Sequence, residues 1–191
     1  CALPICPILS IGHPVLREVA VDVLADEIKG EDVNSLINDL IDTMRDASGA
    51  GLAANQIGVP QRIIVMEVGE NPRYPYKPRL PLTVAINPVV TALDDEMVEI
   101  NEGCLSVPLR GNVQRNVNIR VDYFDRDGVA HRETKRGLTA GTWQHEIDHL
   151  DGLLITDRAA PESLATWAEY EMHHRDAFVE RITAFVERVG S

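Results

Sequence analysis

The stretch His145-Glu146-Ile147-Asp148-His149 constrains this chain more than any other part of it. Two imidazoles four residues apart stand one turn apart on one face of a helix, so both rings can reach the same metal ion while Glu146 waits beside them. The segment therefore has to be helical, with that face aimed into a cavity. Hydrolytic metal chemistry has narrow needs. A divalent ion with one open position lowers the pKa of its water to about 7, and a nearby carboxylate can then take the proton. Two histidines alone do not hold such an ion firmly, so a third ligand must come from elsewhere. The candidate is Cys104, in Glu102-Gly103-Cys104-Leu105-Ser106-Val107-Pro108. A thiolate is a strong ligand for zinc or ferrous iron, and the bracketing Gly and Pro point to a strand edge or turn that aims it.

Each reading has a plain competitor. A His-Glu-x-x-His match also arises on exposed amphipathic helices, and an isolated cysteine is more often a small buried hydrophobe than a ligand. The joint case draws on a third segment, Gly49-Ala50-Gly51-Leu52-Ala53-Ala54-Asn55-Gln56-Ile57-Gly58. Its small residues let a backbone approach something closely, and Gln56 offers an amide donor in an otherwise apolar run.

Gly49 to Gln56, Glu102 to Ser106 and Gln144 to Gly152 resemble, in order, the three signature segments of peptide deformylases, and the similarity runs from about Ile8 to about Arg158. The resemblance implies removal of the N-terminal formyl group from nascent chains beginning with formylmethionine, with release of formate. It implies a metal held by Cys104, His145 and His149, whose water attacks the formyl carbon while Glu146 acts as general base and then acid. It also implies that the backbone N–H of Leu105 and the Gln56 amide meet the developing oxyanion, and that Arg115 pairs with Glu102. Ferrous iron is the metal it points to in the cell, with zinc, nickel or cobalt as substitutes, since a Cys-His-His set suits several of these.

Substrate contacts follow from shape. Ala50, Gly51 and the segment from Pro108 to Arg110 can offer edge backbone groups to an added peptide strand. Gly141 and Thr142, one turn before His145, fall on the ligand face and are expected to line an apolar methionine pocket. Their small size leaves the pocket roomier, or in the case of Gly141 serves close packing. Asp148 is either a supporting residue or a helix-surface charge, and Gln144 is placed to hold the helix to a sheet. Two departures from the family pattern stand out: no Gly lies between Pro108 and Leu109, which shortens the approach to Arg110, and Asn55 occupies a position where Pro or Thr is common, with little effect expected.

With 191 residues and 45% hydrophobic content, the chain reads as one domain with one substantial core, its catalytic part about 8–158 and its C-terminal helix about 161–189. The fold class expected is α+β, antiparallel strands packed around a central metal-binding helix with a peripheral C-terminal helix. Val33, Leu36, Ile37, Leu40, Ile41 and Met44 mark an earlier helix. Strands are expected at Arg62–Val68, Val84–Val90, Met97–Ile100 and Val117–Phe124, the last turning at Asp127-Gly128 into Val129–Lys135. Leu138–Asp151 is the metal helix, with Gly152 as a left-handed terminator and Leu153–Ile155 a short strand. The proline-crowded stretch from Gly69 to Pro81 reads as an extended loop, and a single long helix is expected from Pro161 onward.

A net charge of −12 argues against a nucleic-acid surface. The absence of a long apolar run or a secretory pattern, with an odd cysteine count, reads as cytoplasmic with no membrane contact. Cys1 fits a processed or trimmed start better than a lipid-modified one, and Cys6 reads as a structural thiol. Some relatives are thought to dock on the ribosome through a basic tail. Here Arg175, Arg181 and Arg188 are outnumbered by Glu162, Glu169, Glu171, Asp176, Glu180 and Glu187, so such docking is doubted, and His173 and His174 read as solvated. Two alternatives stay open: a metallopeptidase drawing its third ligand from Glu169 or Glu171, and an idle relative that only binds peptide termini.

Overall fold

The computed structural model describes residues 5–69 and 75–190. Helix α1, Glu31–Asp46, forms where the three- and four-residue spacing requires, and Val33, Ile37, Leu40, Ile41 and Met44 are all buried on its inner face. A short strand β1, Gly51–Ala53, follows and pairs with β2, Ile63–Val68. Then come β3, Leu80–Ala92, β4, Met97–Cys104, β5, Val107–Asn116, β6, Asn118–Phe124, and β7, Ala130–Arg136. Strand β6 buries Ile119, Val121 and Tyr123 and turns into β7 through Gly128, whose φ of 75° only glycine adopts freely.

Helix α2, Gly137–Leu150, carries the two histidines. Two antiparallel sheets flank it. The first runs β1-β2-β3-β6-β7, and the second runs β4-β5-β8, where β8 is the two-residue strand Ala165–Thr166. Ala140, Trp143, Ile147 and Leu150 of α2 pack with Ile64, Met66, Ala85 and Val121 of the first sheet, while Leu138 packs with Val98 and Ile100 of the second. The helix thus has almost no free face, and α+β architecture around a buried helix stands as expected. At its end Gly152 takes φ 73°, where a Cβ would lie 2.7 Å from the Arg17 carbonyl oxygen.

Several expected elements differ. Leu153–Ile155 is not a strand. Asp157 accepts from the Leu154 N–H at 2.7 Å and caps a one-turn helix, α3, Ile155–Arg158. The single helix expected from Pro161 is instead a 3-10 turn at Pro161–Ser163, strand β8, helix α4, Trp167–His173, and helix α5, Arg175–Val189. The break arises because Ala165 pairs with Arg110 on β5 and the Thr166 hydroxyl then caps α4 by accepting from the Glu169 N–H. Pro81 belongs to β3 rather than to the preceding loop, of which 70–74 lie outside the described residues. Among the described residues no helix is long and apolar enough to cross a membrane.

Candidate metal centre and its pocket

Cys104 ends β4, and Leu105-Ser106 turn the chain tightly into β5, with Cys104 registered against Val107. The register shifts between Gly103, opposite Arg110, and Cys104, so Pro108 and Leu109 bulge from β5 there. This turn brings the thiol to the ligand face of α2. Cys104 Sγ lies 3.3 Å from His149 Nε2, and one ligand atom from each of Cys104, His145 and His149 lies within 4.8 Å of the others. Burial alone would push the thiol up. The His149 and His145 imidazoles outweigh it and hold Cys104 down at about 5, as a thiolate.

The surroundings orient these ligands. Glu102 Oε2 stands 2.9 Å from His145 Nδ1, and since an ionised carboxylate only accepts, the proton sits on Nδ1 and Nε2 is left for a metal. Burial opposes ionisation of Glu102, but Arg115, donating to both its oxygens at 2.8 Å, holds it well below the usual carboxylate range. Burial also opposes charge on His145, yet Cys104 and Glu102 raise its pKa well above the ordinary value. A thiolate and two imidazoles are a donor set that fits a divalent ion of the zinc or ferrous class.

Glu146 is 4% exposed and its Oε2 has no hydrogen-bond partner. Its carboxylate fills the slot beside Gly51, where a Cβ would come within 2.3 Å of Oε1. Gln56 is fixed by its carbonyl: Oε1 accepts from the Ala53 N–H at 2.9 Å, so Nε2 faces Ser106 Oγ at 3.0 Å and Cys104 Sγ at 3.8 Å. Gly49, Ala50, Gly51, Gln56, Leu105, Arg110, Gly141, Thr142, His145 and Glu146 line one cavity together with Cys104. His149 is outside this lining but adjoins it through Cys104, while Pro108 and Leu109 of the expected substrate segment do not line it.

In sequence the chain resembles relatives along most of its length. A sequence model of the family described as polypeptide deformylase matches residues 5–164. The chain belongs to the peptide deformylase family. A peptide deformylase of Leptospira biflexa is 43% identical over 164 residues, covering 85% of this chain and 92% of the relative. Peptide deformylase 1 of Prochlorococcus marinus is 46% identical over 155 residues, 79% of each. Among solved structures, the Met-Ala-Ser-bound class I type b peptide deformylase of Acinetobacter baumannii superposes with a TM-score of 0.79 at 34% identity, covering 82% of this chain and 99% of that one. The Thermotoga maritima peptide deformylase gives 0.72 at 36% identity, covering 83% and 99%. As a peptide deformylase, the chain is an enzyme that removes the formyl group from the N-terminus of nascent peptides.

Some site expectations change in detail. Arg110 is not at an open strand edge: β8 pairs with β5 there, and the side chain is 1% exposed. Gly141 serves packing, since a Cβ would lie 2.6 Å from Ile100 Cδ1. Asp148 is buried and bonded to Arg115 at 2.5 Å and to Arg158 at 2.8 Å. Asn55 is fully buried, and its amide donates to the His149 carbonyl, tying the Gln56 turn to the end of α2. Gln144 grips Asn116 through both backbone groups, as expected. Glu169 and Glu171 stand exposed on α4, outside the ligand cluster, so neither is the third ligand. Lys77, Tyr76, Asn101 and Trp167 line the cavity and were not foreseen, because nothing in a proline-rich loop, a strand or a helical apolar stripe marks them.

Gly51→Ala is expected to lower kcat about 10²-fold, the usual cost of a displacement near 1 Å in a catalytic group. Its Cβ would drive the Glu146 carboxylate aside while leaving the metal ligands untouched. Metal content equal to wild type with kcat reduced confirms the displacement; unchanged kcat refutes it.

Proposed function

We propose that this peptide deformylase acts on nascent chains beginning with formylmethionine, through a divalent ion held by Cys104, His145 and His149. One observation carries the reading: a thiolate and two imidazoles converge within 4.8 Å, beside a buried carboxylate with an unpartnered oxygen. When bound, the ion supplies an acidified water and polarises the formyl oxygen. Glu146 takes the proton from the attacking water and hands it to the departing nitrogen. Burial raises its pKa, outweighing the nearby His145 and His149, and so brings it toward the range where a proton shuttle works best. The Leu105 N–H and the Gln56 amide donate to the oxygen that gains charge, each worth about 10²- to 10³-fold.

The peptide lies between two sheet edges. Strand β1 ends the first sheet and β4 ends the second, so Ala50 and Gly51 on one side and Gly103 on the other offer backbone groups with little demand on side chains. The methionine side chain runs along α2 past Thr142 and Gly141 toward Leu138. Leu138 precedes His145 by seven residues, about 10 Å along the helix axis, comparable to the span from a formyl carbon to the end of a methionine. The Met-Ala-Ser held by the Acinetobacter baumannii relative supports a ligand of this kind. Residues 8–158 and the C-terminal helices act as one catalytic unit in the cytoplasm. Ferrous iron is the metal favoured by the family resemblance, with zinc, nickel or cobalt as substitutes. The acidic α4 and α5 give no support to ribosome docking through this end.

Anaerobic metal analysis paired with formate release from formyl-Met-Ala-Ser tests the reading. Cys104→Ala is expected to lose both metal and activity. A variant that keeps both would return Cys104 to a structural role and overturn the three-ligand reading.

A further inference from the structure

Arg110 is 1% exposed, yet no carboxylate answers its charge among the described residues. Its Nε and Nη2 donate to Asn101 Oδ1 and O at 2.8 and 2.9 Å, and the guanidinium packs in the corner formed by the edge-on rings of Trp167 and Tyr170, 4.3 and 4.4 Å from their centroids. The remaining nitrogen, Nη1, is buried without a hydrogen-bond partner. A buried donor left unmet is costly. Arg110 lines the same cavity as Cys104, His145 and Glu146, and Nη1 lies against Gly103 of that lining, 2.7 Å from where a Cβ would stand.

A second cationic donor faces the same space. Lys77 Nζ is 3.3 Å from Thr142 Oγ1 on the ligand face of α2. Burial is the main cause of its lowered pKa, and the charge of Arg110 adds to it, which agrees with two cations sharing one cavity. Ile100, Leu138 and Trp167 would suffice to hold a thioether. The unmet Arg110 donor answers to something more polar.

We infer that the side-chain pocket ends in a donor subsite, where Arg110 Nη1 hydrogen-bonds an oxygen at the end of the first residue's side chain, so that the enzyme takes formyl-methionine sulfoxide as well as formylmethionine. The inference rests on the deformylase reading of this site. The sulfoxide oxygen is a strong uncharged acceptor carried on the methionine sulfur, at the depth the thioether reaches. The reaction is otherwise the same: the formyl C–N bond breaks, water supplies the hydroxyl to carbon and the proton to nitrogen, and the sulfoxide leaves unchanged on the product peptide.

The test compares kcat/KM of the metal-loaded enzyme for formyl-Met-Ala-Ser, its sulfoxide, and formyl-norleucine-Ala-Ser, alongside calorimetric affinities of the three deformylated peptides. The sulfoxide is expected to exceed norleucine roughly tenfold or more in both, the order of effect expected when a buried donor finds its partner. Arg110→Met, which keeps an unbranched chain against the two rings but has no side-chain N–H, is expected to bring that ratio to about one or below. Sulfoxide at or below norleucine in the wild type overturns the subsite, whether or not the variant folds. A preference that persists in a folded Arg110→Met overturns the role of Arg110. Failure to hydrolyse formyl-Met-Ala-Ser at all would instead overturn the deformylase reading on which the subsite rests.

Discussion

Glu146→Gln is expected to cut formate release by about 10²- to 10⁴-fold, the range that a positioned proton carrier contributes, with the bound metal retained. The amide has the shape of the carboxylate and fits the slot beside Gly51, but it cannot accept the proton. The fold should not suffer. Burial raises the Glu146 pKa above its ordinary value, so its contribution to stability is present in acid and lost as pH rises through the folded-state pKa. A buried, partly unpartnered carboxylate burdens the fold more as pH rises, and the Gln variant should melt at or above wild type on the alkaline side. Turnover within about tenfold of wild type, measured on protein of equal metal content, would remove Glu146 from the proton path.

Arg115→Met is expected to cost about 3–5 kcal/mol of unfolding free energy, because it leaves buried carboxylates without their cation. Arg115 is 3% exposed and bridges Glu102 on β4 to Asp148 on α2, so it locks the second sheet to the metal helix. The sign of the pH dependence follows. Glu102 has a depressed pKa in the wild type, a contribution present above the ordinary carboxylate range and lost in acid. Without Arg115, burial raises it instead, so the deficit is full at neutral pH and narrows as acid protonates Glu102. Arg158→Met is the control. Its side chain is 48% exposed, and its pair with Asp148 should be worth at most about 1 kcal/mol. Chemical denaturation of both variants reads the contrast, and a deficit for Arg115→Met no larger than the control's would refute the lock. Loss of the Glu102 brace should also weaken metal binding about 10- to 100-fold, since His145 depends on it for orientation.

The parts of the fold that repeat strictly were readable from the chain. Helix α1 shows its 3.6-residue stripe, β6 its alternation, and Gly152 its terminating role, because each depends on local geometry. Strand β5 was not readable: it buries Arg110 and Arg115 where alternation would ask for apolar residues, and the groups that satisfy them come from Asn101, Glu102 and Asp148. The C-terminal break was hidden for a similar reason, since it is caused by pairing with β5 rather than by a breaker residue.

The site divides in the same way. Cys104, His145, Glu146, His149 and Gln56 were legible because hydrolytic chemistry calls for scarce residue types in tight spacing. Lys77 and Trp167 were not, because they matter only through where the chain brings them. Arg110 was foreseen as a substrate contact at a strand edge, whereas the structure makes it an interior cation whose one unmet nitrogen belongs to the cavity.

Trp167 closes part of that cavity from a position beyond residue 164, where the family-wide match stops. The catalytic end of the cleft lies within the stretch that matches the family model, while one wall of its depths is supplied by sequence beyond that stretch. A compound that grips the metal alone should inhibit relatives indiscriminately. One that reaches inward to the indole should discriminate among them, and Trp167→Ala should erase that selectivity without altering the response to the metal-gripping compound.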